Sequence, residues 1–284
     1  MVVLVTGSNG QLGQSLQYIA VNYPQLQWVF YDSSTLDITQ IESVQKAFQH
    51  YQPDYCINTA AYTAVDKSES EPDKAFLVNG LGPENLAKTC AKQGTVLIHI
   101  STDFVFDGTK KSPYQEDDST HPLGVYGTTK WQGEQAVKQF CNNFYILRTA
   151  WVYSQFGANF MKTMLRLAAE RSELSIVSDQ IGTPTNAVDL AKAIVSCMLY
   201  DATTENPSYG IYHYSNEGQC SWYDFAVAIF KLKGVNIPVH SIPTTQFPTP
   251  AKRPAYSVLD KSKIKKVMKL TIPEWQDSLR ALLT

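Results

Sequence analysis

A short apolar run at residues 2–5 breaks into Thr6-Gly7-Ser8-Asn9-Gly10-Gln11-Leu12-Gly13, after which Leu12, Leu16 and Ile19 recur at helical spacing. Three glycines so placed, between a strand and a helix, leave the chain few alternatives. Gly7 permits a tight turn, Gly10 lets a pyrophosphate approach the backbone, and Gly13 lets the helix close on the strand. The helix start adds free N–H groups and a favourable dipole. The backbone of Gly7, Gly10, Gln11, Leu12 and Gly13 is therefore the expected cradle of a dinucleotide.

The same alternation continues. Strands are expected at 28–31, 55–58, 95–100, 144–148 and 211–214, and helices at 11–21, 41–51, 74–92, 126–141, 159–171, 186–199, 222–231 and 273–283. Continuous apolar strands between helices imply a parallel sheet covered on both faces, the doubly wound α/β (Rossmann) architecture. Such sheets bind ligands beyond the carboxyl ends of their strands. Residues 1–150, with part of about 180–205, are read as the NAD(P)-binding domain. Residues 151–284 form, discontinuously, a smaller C-terminal substrate-binding lobe, with a proline-rich passage at 237–254.

With 284 residues, 44% of them hydrophobic, the chain has enough apolar surface for a main domain and a lobe. A net charge of −2 without a basic stripe argues against nucleic acid. Five scattered cysteines without a close pair read as buried small hydrophobes in a reducing compartment. No apolar run reaches membrane-spanning length and no leader is visible, so a cytoplasmic protein is expected.

Asp32 closes the second strand. An acid there accepts from an adenosine ribose 2′-OH and repels a 2′-phosphate, which favours NADH while leaving NADPH open; a turn aspartate in Asp32-Ser33-Ser34 is the alternative. Asp37 and Ile38 either flank the adenine or form a loop acid ahead of the capping Thr39.

Tyr126 and Lys130 stand four residues apart on one helix face. An ammonium near a phenol lowers its pKa and fits the tyrosine to act as a general acid toward a carbonyl oxygen. Upstream, the strand at 95–100 ends in Ser101-Thr102-Asp103, where a hydroxyl can hold a substrate carbonyl; Thr102 is preferred to Ser101.

TGSNGQLG, NTAAYTAVDKSESEP, STDFVFDG, YGTTKWQGE and RTAWVY, with NFMKTMLRLA, DQIGTPT, SWYDFA and PTPAKRPAYSVLD further on, cover nearly the whole chain. Together they resemble the extended short-chain dehydrogenase/reductase superfamily and, within it, the dTDP-4-dehydrorhamnose reductase family. The resemblance implies transfer of hydride from NADH or NADPH to the C4 ketone of dTDP-4-dehydro-L-rhamnose. Thr102, Tyr126 and Lys130 become the catalytic triad, with Tyr126 the proton donor. Ala60, Ala61, Tyr62 and Thr63 fall beside the cofactor, as do Tyr126 and Lys130, the latter also placed to hydrogen-bond the nicotinamide ribose. Thr63, Val65, Asp103, Trp151, Asn159 and Arg253 fall beside the sugar nucleotide, Arg253 at the diphosphate; Asn159 is equally placed to cap its helix. Asn79 matches a structural asparagine of the superfamily, with a simple exposed or capping asparagine as the alternative.

Some members of the family dimerise through acidic side chains sharing Mg²⁺. The corresponding Gln14-Ser15-Leu16 and Ala187-Val188-Asp189 show no acidic cluster, so no metal is expected, and a monomer or a homodimer. Other readings are a reductase of another nucleotide-linked ketosugar, an epimerase with tightly held NAD⁺, and a regulatory subunit resembling the beta subunit of methionine adenosyltransferase.

Overall fold

The computed structural model describes residues 1–284. Its main sheet has six strands: β1 (Val2–Thr6), β2 (Gln27–Tyr31), β3 (Tyr55–Asn58), β4 (Val96–Thr102), β5 (Phe144–Thr149) and β6 (Gly210–His213). All neighbours run parallel, in the order β6-β5-β4-β3-β1-β2. The chain leaves β1 toward β2 on one side and later re-enters as β3 on the other. The loops after β1 and β3 therefore diverge, and a crevice opens between them.

Five helices, α1 (Gln11–Ala20), α2 (Ile41–Tyr51), α3 (Gly82–Gln93), α4 (Val125–Phe140) and α5 (Ala187–Thr203), cover the sheet. Alternate strand residues serve opposite faces. Val3, Val5, Ile57, Ile98 and Leu147 pack with Leu16 and Ile19 of α1 and Leu190 and Ile194 of α5. Leu4, Cys56, Leu97 and Ile146 pack on the other face with Val44, Phe48, Leu86 and Val137. Each such fully buried side chain contributes roughly 1.5–3 kcal/mol. No helix is long and apolar enough to cross a membrane.

A third apolar cluster, including Tyr153, Met161, Ile176, Phe225 and Trp275, lies among helices Phe160–Glu170, Trp222–Lys233 and Trp275–Leu283. It also rests on a parallel pair, Leu174–Val177 with Val239–Ile242. That second strand lies inside the proline-rich passage, where the sequence suggested no regular structure.

The helix expected at 74–92 is three pieces: Pro72–Phe76, a π-helical turn at Leu77–Leu81, and α3. Pro83 has no N–H to continue the ladder. The buried Asn79 side chain is also drawn outward, accepting from Tyr62 N at 2.9 Å and donating to Tyr62 O at 3.1 Å. This is the structural role that the resemblance implied.

Candidate active site

The glycine turn is shaped by close approach. Gly7 sits at φ 71°, and a Cβ there would lie 2.5 Å from Ala60 N. At Gly13 a Cβ would come within 2.5 Å of Gly7 O, whereas at Gly10 it would meet only Gly7 O, at 3.3 Å. Gly7 and Gly13 hold the turn against β3 and the helix, and Gly10 between them has the most room. The start of α1 has no side-chain cap and no acid in its first turn. These features fit an anionic pyrophosphate at the backbone of residues 10–13. Leu12 turns its side chain into the core. Gln11 turns its own to the 154–159 segment: its Oε1 accepts from Asn159 Nδ2 at 2.9 Å and from Ser154 Oγ at 3.2 Å.

Asp32 stands at the mouth of the turn. Asn9 Nδ2 donates to its Oδ2 at 2.8 Å, and Ser34 N and Thr35 N donate to its Oδ1. The Ser34 and Thr35 hydroxyls and amides hold this exposed carboxyl down at about 2. The turn alternative is thus met by an ionised carboxyl. Asp37 takes up Thr39 N and Oγ1 at 2.9 and 2.8 Å, which is the loop-acid alternative. Ile38 points its side chain into the core. It is buried against Gly82, where a Cβ would be 2.5 Å from its Cδ1, and its carbonyl accepts from Asn85.

Beyond β3, Thr59 Oγ1 donates to Thr6 O at 2.6 Å and Ala60 N to Asn58 Oδ1 at 3.2 Å. Ala61 and Tyr62 are half-buried and Thr63 is exposed at the crevice rim. Tyr62 OH donates to Glu71 at 2.8 Å. Val65 opens a short helix, Val65–Ser68.

At the carboxyl end of β4 the chemistry gathers. Thr102 Oγ1 donates to Asp103 Oδ1 at 3.0 Å and accepts from Phe104 N at 3.2 Å, and it lies against the Tyr126 phenol, favouring its ionisation. Burial outweighs that and pushes the phenol up to about 12. The Tyr126 ring meets Phe104 edge-on at 5.5 Å. Lys130 is 2% exposed and donates from Nζ to Ile100 O at 2.6 Å. Burial brings it down to about 8, with the Glu134 carboxylate acting the other way. The expected lowering of the phenol by Lys130 is therefore absent here, because the buried ammonium turns to a carbonyl that solvates it. Asp103 is 2% exposed with Oδ2 unpartnered, and burial raises it to about 6.

Ser101 and Thr102 part ways. Ser101 Oγ donates to Glu134 Oε1 at 2.5 Å, so its hydroxyl is committed behind the strand while Thr102 faces Tyr126. Glu134 and its partner Arg148, joined at 2.7 and 2.9 Å, are buried groups that sequence reasoning missed. The Glu134 position, one turn beyond Lys130, was the only available signal.

Trp151 adopts φ 48°, a left-handed conformation costly for a bulky residue. Its indole stacks on Trp222 with ring centroids 3.5 Å apart, and Gly182 lies against it, where a Cβ would be 2.6 Å away. Trp222 was not singled out from sequence, and only the fold makes it a neighbour. Asn159 caps its helix, accepting from Lys162 N at 3.1 Å. Arg253 grips Asp66 with both ends of its guanidinium, at 3.1 and 2.8 Å. Asp189 accepts from Ser278 Oγ and Asn216 Nδ2 at 2.5 and 3.0 Å, while Gln14 donates to Asn9 O.

A parallel sheet with a glycine turn at its switch point, and a Tyr/Lys helix leaning on the end of β4, defines a nicotinamide-dependent oxidoreductase of the extended short-chain class. A family model described as the RmlD substrate binding domain matches residues 1–284, and the chain belongs to that family, the dTDP-4-dehydrorhamnose reductases. It is 41% identical to the dTDP-4-dehydrorhamnose reductase of Aggregatibacter actinomycetemcomitans, over 98% of this chain and 97% of the relative. The crystal structure of the Clostridium acetobutylicum dTDP-4-dehydrorhamnose reductase superposes with a TM-score of 0.93 at 42% identity, covering 99% of this chain and 98% of that one. The Bacillus anthracis reductase, solved in complex with NADP, gives 0.94 at 39% identity, with the same coverage.

Proposed function

We propose that the chain reduces the C4 ketone of dTDP-4-dehydro-L-rhamnose to dTDP-L-rhamnose, using NADH or NADPH. The observation that carries this reading is the convergence of Thr102, Asp103, Tyr126 and Lys130 at the end of β4, beside the crevice headed by Gly7–Gly13. When bound there, the reduced nicotinamide supplies the hydride. Thr102 orients the ketone oxygen, and Tyr126, protonated at neutral pH, gives that oxygen its proton. Lys130 holds a positive charge one turn below as the phenolate forms. Gly10, Gln11, Leu12 and Gly13 receive the pyrophosphate on backbone N–H groups, Asp32 accepts from the ribose, and Ala60, Ala61, Tyr62 and Thr63 line the nicotinamide side. Asp37 stays at the adenine edge.

In the same reading Trp151 is a platform for the sugar nucleotide, Thr63, Val65 and Asp103 meet its sugar, and Asn159 lies at its side. Arg253, whose fork is paired with Asp66 here, exchanges that carboxylate for the diphosphate. The division into a dinucleotide-binding domain, 1–150 with part of about 180–205, and a discontinuous lobe within 151–284 is supported by the separate third apolar cluster. A cytoplasmic monomer or homodimer completes the proposal.

The test is loss of reduced-nicotinamide absorbance with dTDP-4-dehydro-L-rhamnose generated in place. Oxidation with dTDP-L-rhamnose as product is expected. A folded protein that binds dinucleotide but oxidises none with this ketosugar would refute the substrate assignment.

A further inference from the structure

Glu134 lies fully buried one turn beyond Lys130, at 0% exposure, without touching the crevice. Both its oxygens are engaged. Arg148 Nε donates to Oε1 at 2.9 Å and Arg148 Nη2 to Oε2 at 2.7 Å, while Ser101 Oγ donates to Oε1 at 2.5 Å. Arg148 is itself fixed, donating to Glu116 O at 3.3 Å and lying 5.0 Å from the Phe106 ring. A buried pair of this kind seldom adds stability over an apolar one, so its position calls for another account.

Two successive residues of β4 are stapled to α4: Ile100 through Lys130 Nζ, and Ser101 through Glu134. The next residue is Thr102, and Tyr126 is one turn before Lys130. The staples therefore set the register in which the phenol meets the threonine. Lys130, for its part, has few other charges near it. His99 of β4 faces it but is buried and held well below the ordinary imidazole range, hence neutral. Asp103 lies beyond Tyr126. Glu69, at the helix start, is taken by Val125 N at 2.9 Å. Arg148 of β5 stands behind Glu134, which leaves Glu134 as the carboxylate able to favour the ammonium.

We propose that Glu134, clamped by Arg148 and Ser101, is a positioning residue that keeps Lys130 charged and registers α4 on β4 for proton transfer by Tyr126. The catalytic consequence rests on the reductase reading; the state of Lys130 does not.

The experiment titrates the Lys130 side chain by NMR in full-length protein carrying labelled lysine, with the resonance assigned by its loss in Lys130→Met. In the unsubstituted protein the midpoint is expected near about 8. In Glu134→Gln it should fall by about 1 pH unit or more. The double variant Glu134→Leu with Arg148→Leu removes both buried charges, so that neither is stranded, and should show a smaller shift in the same downward direction, because a more distant repulsion goes with the nearer attraction. Unmoved midpoints in both variants would overturn the proposal. The pH profile of kcat/KM supplies the second readout. Its alkaline limb should move down with the midpoint, whereas a uniform fall in kcat with an unmoved limb would mark a merely structural residue. Absence of turnover in the unsubstituted protein would count against the reductase reading, and the lysine titration would still decide on Glu134.

Discussion

At the scale of single residues the site is governed by burial. Tyr126 carries its proton at neutral pH, as an ordinary phenol does, and its partial burial reinforces this, which is the state a general acid needs before the ketone oxygen gains charge. Tyr126→Phe should lower kcat/KM by about 10²–10⁴ while dinucleotide binding, followed by fluorescence titration, stays within a factor of about 2. Asp103 shows the cost of the same burial. Its carboxyl rises to about 6, above the unfolded value of about 3.9, so the folded state holds the proton longer. Stability then declines as pH rises through that window. Asp103→Asn should recover up to roughly 3 kcal/mol at pH ~7 and nothing at pH ~4, read from urea unfolding at the two values.

At the scale of elements, α4 crosses the π-helical turn at Gly133, where a Cβ would come 2.2 Å from Asn79 O. Gly133→Ala should cost about 1–3 kcal/mol in urea unfolding, because backbone on both sides must move. The crossing also marks the limit of what the sequence discloses. The strands were legible as short continuous apolar runs and most helices because apolar residues recur at about 3.6, and the glycine turn because its spacing has few other uses. The π-helical turn was not, since Asn79 is diverted by Tyr62, seventeen residues away in sequence. Val239–Ile242 was hidden because its partner, Leu174–Val177, is remote and its own flanks are proline-rich. Within the site, Tyr126, Lys130 and Thr102 could be read from local pattern. The partners of Ser101 could not, because Glu134 and Arg148 meet it only once α4 and β5 have packed on β4.

At the scale of the whole molecule, the loop after β3 is tied to the C-terminal segment by Asp66 and Arg253, and α1 to the 154–159 segment by Gln11. Arg253→Met should raise KM for the nucleotide sugar by about tenfold or more, with the Kd for dinucleotide unchanged, measured by initial rates and by titration. The parallel sheet has a further consequence for where this chain tolerates change. Since every strand of the six-stranded sheet delivers its carboxyl end to one rim, the opposite rim carries only return loops, such as the one between α5 and β6 with its exposed residues 205–206. A short glycine-serine insertion there should leave turnover and melting temperature unaltered. The molecule thus has one edge on which few substitutions are neutral and another that can be lengthened, tagged or re-cut without disturbing the chemistry.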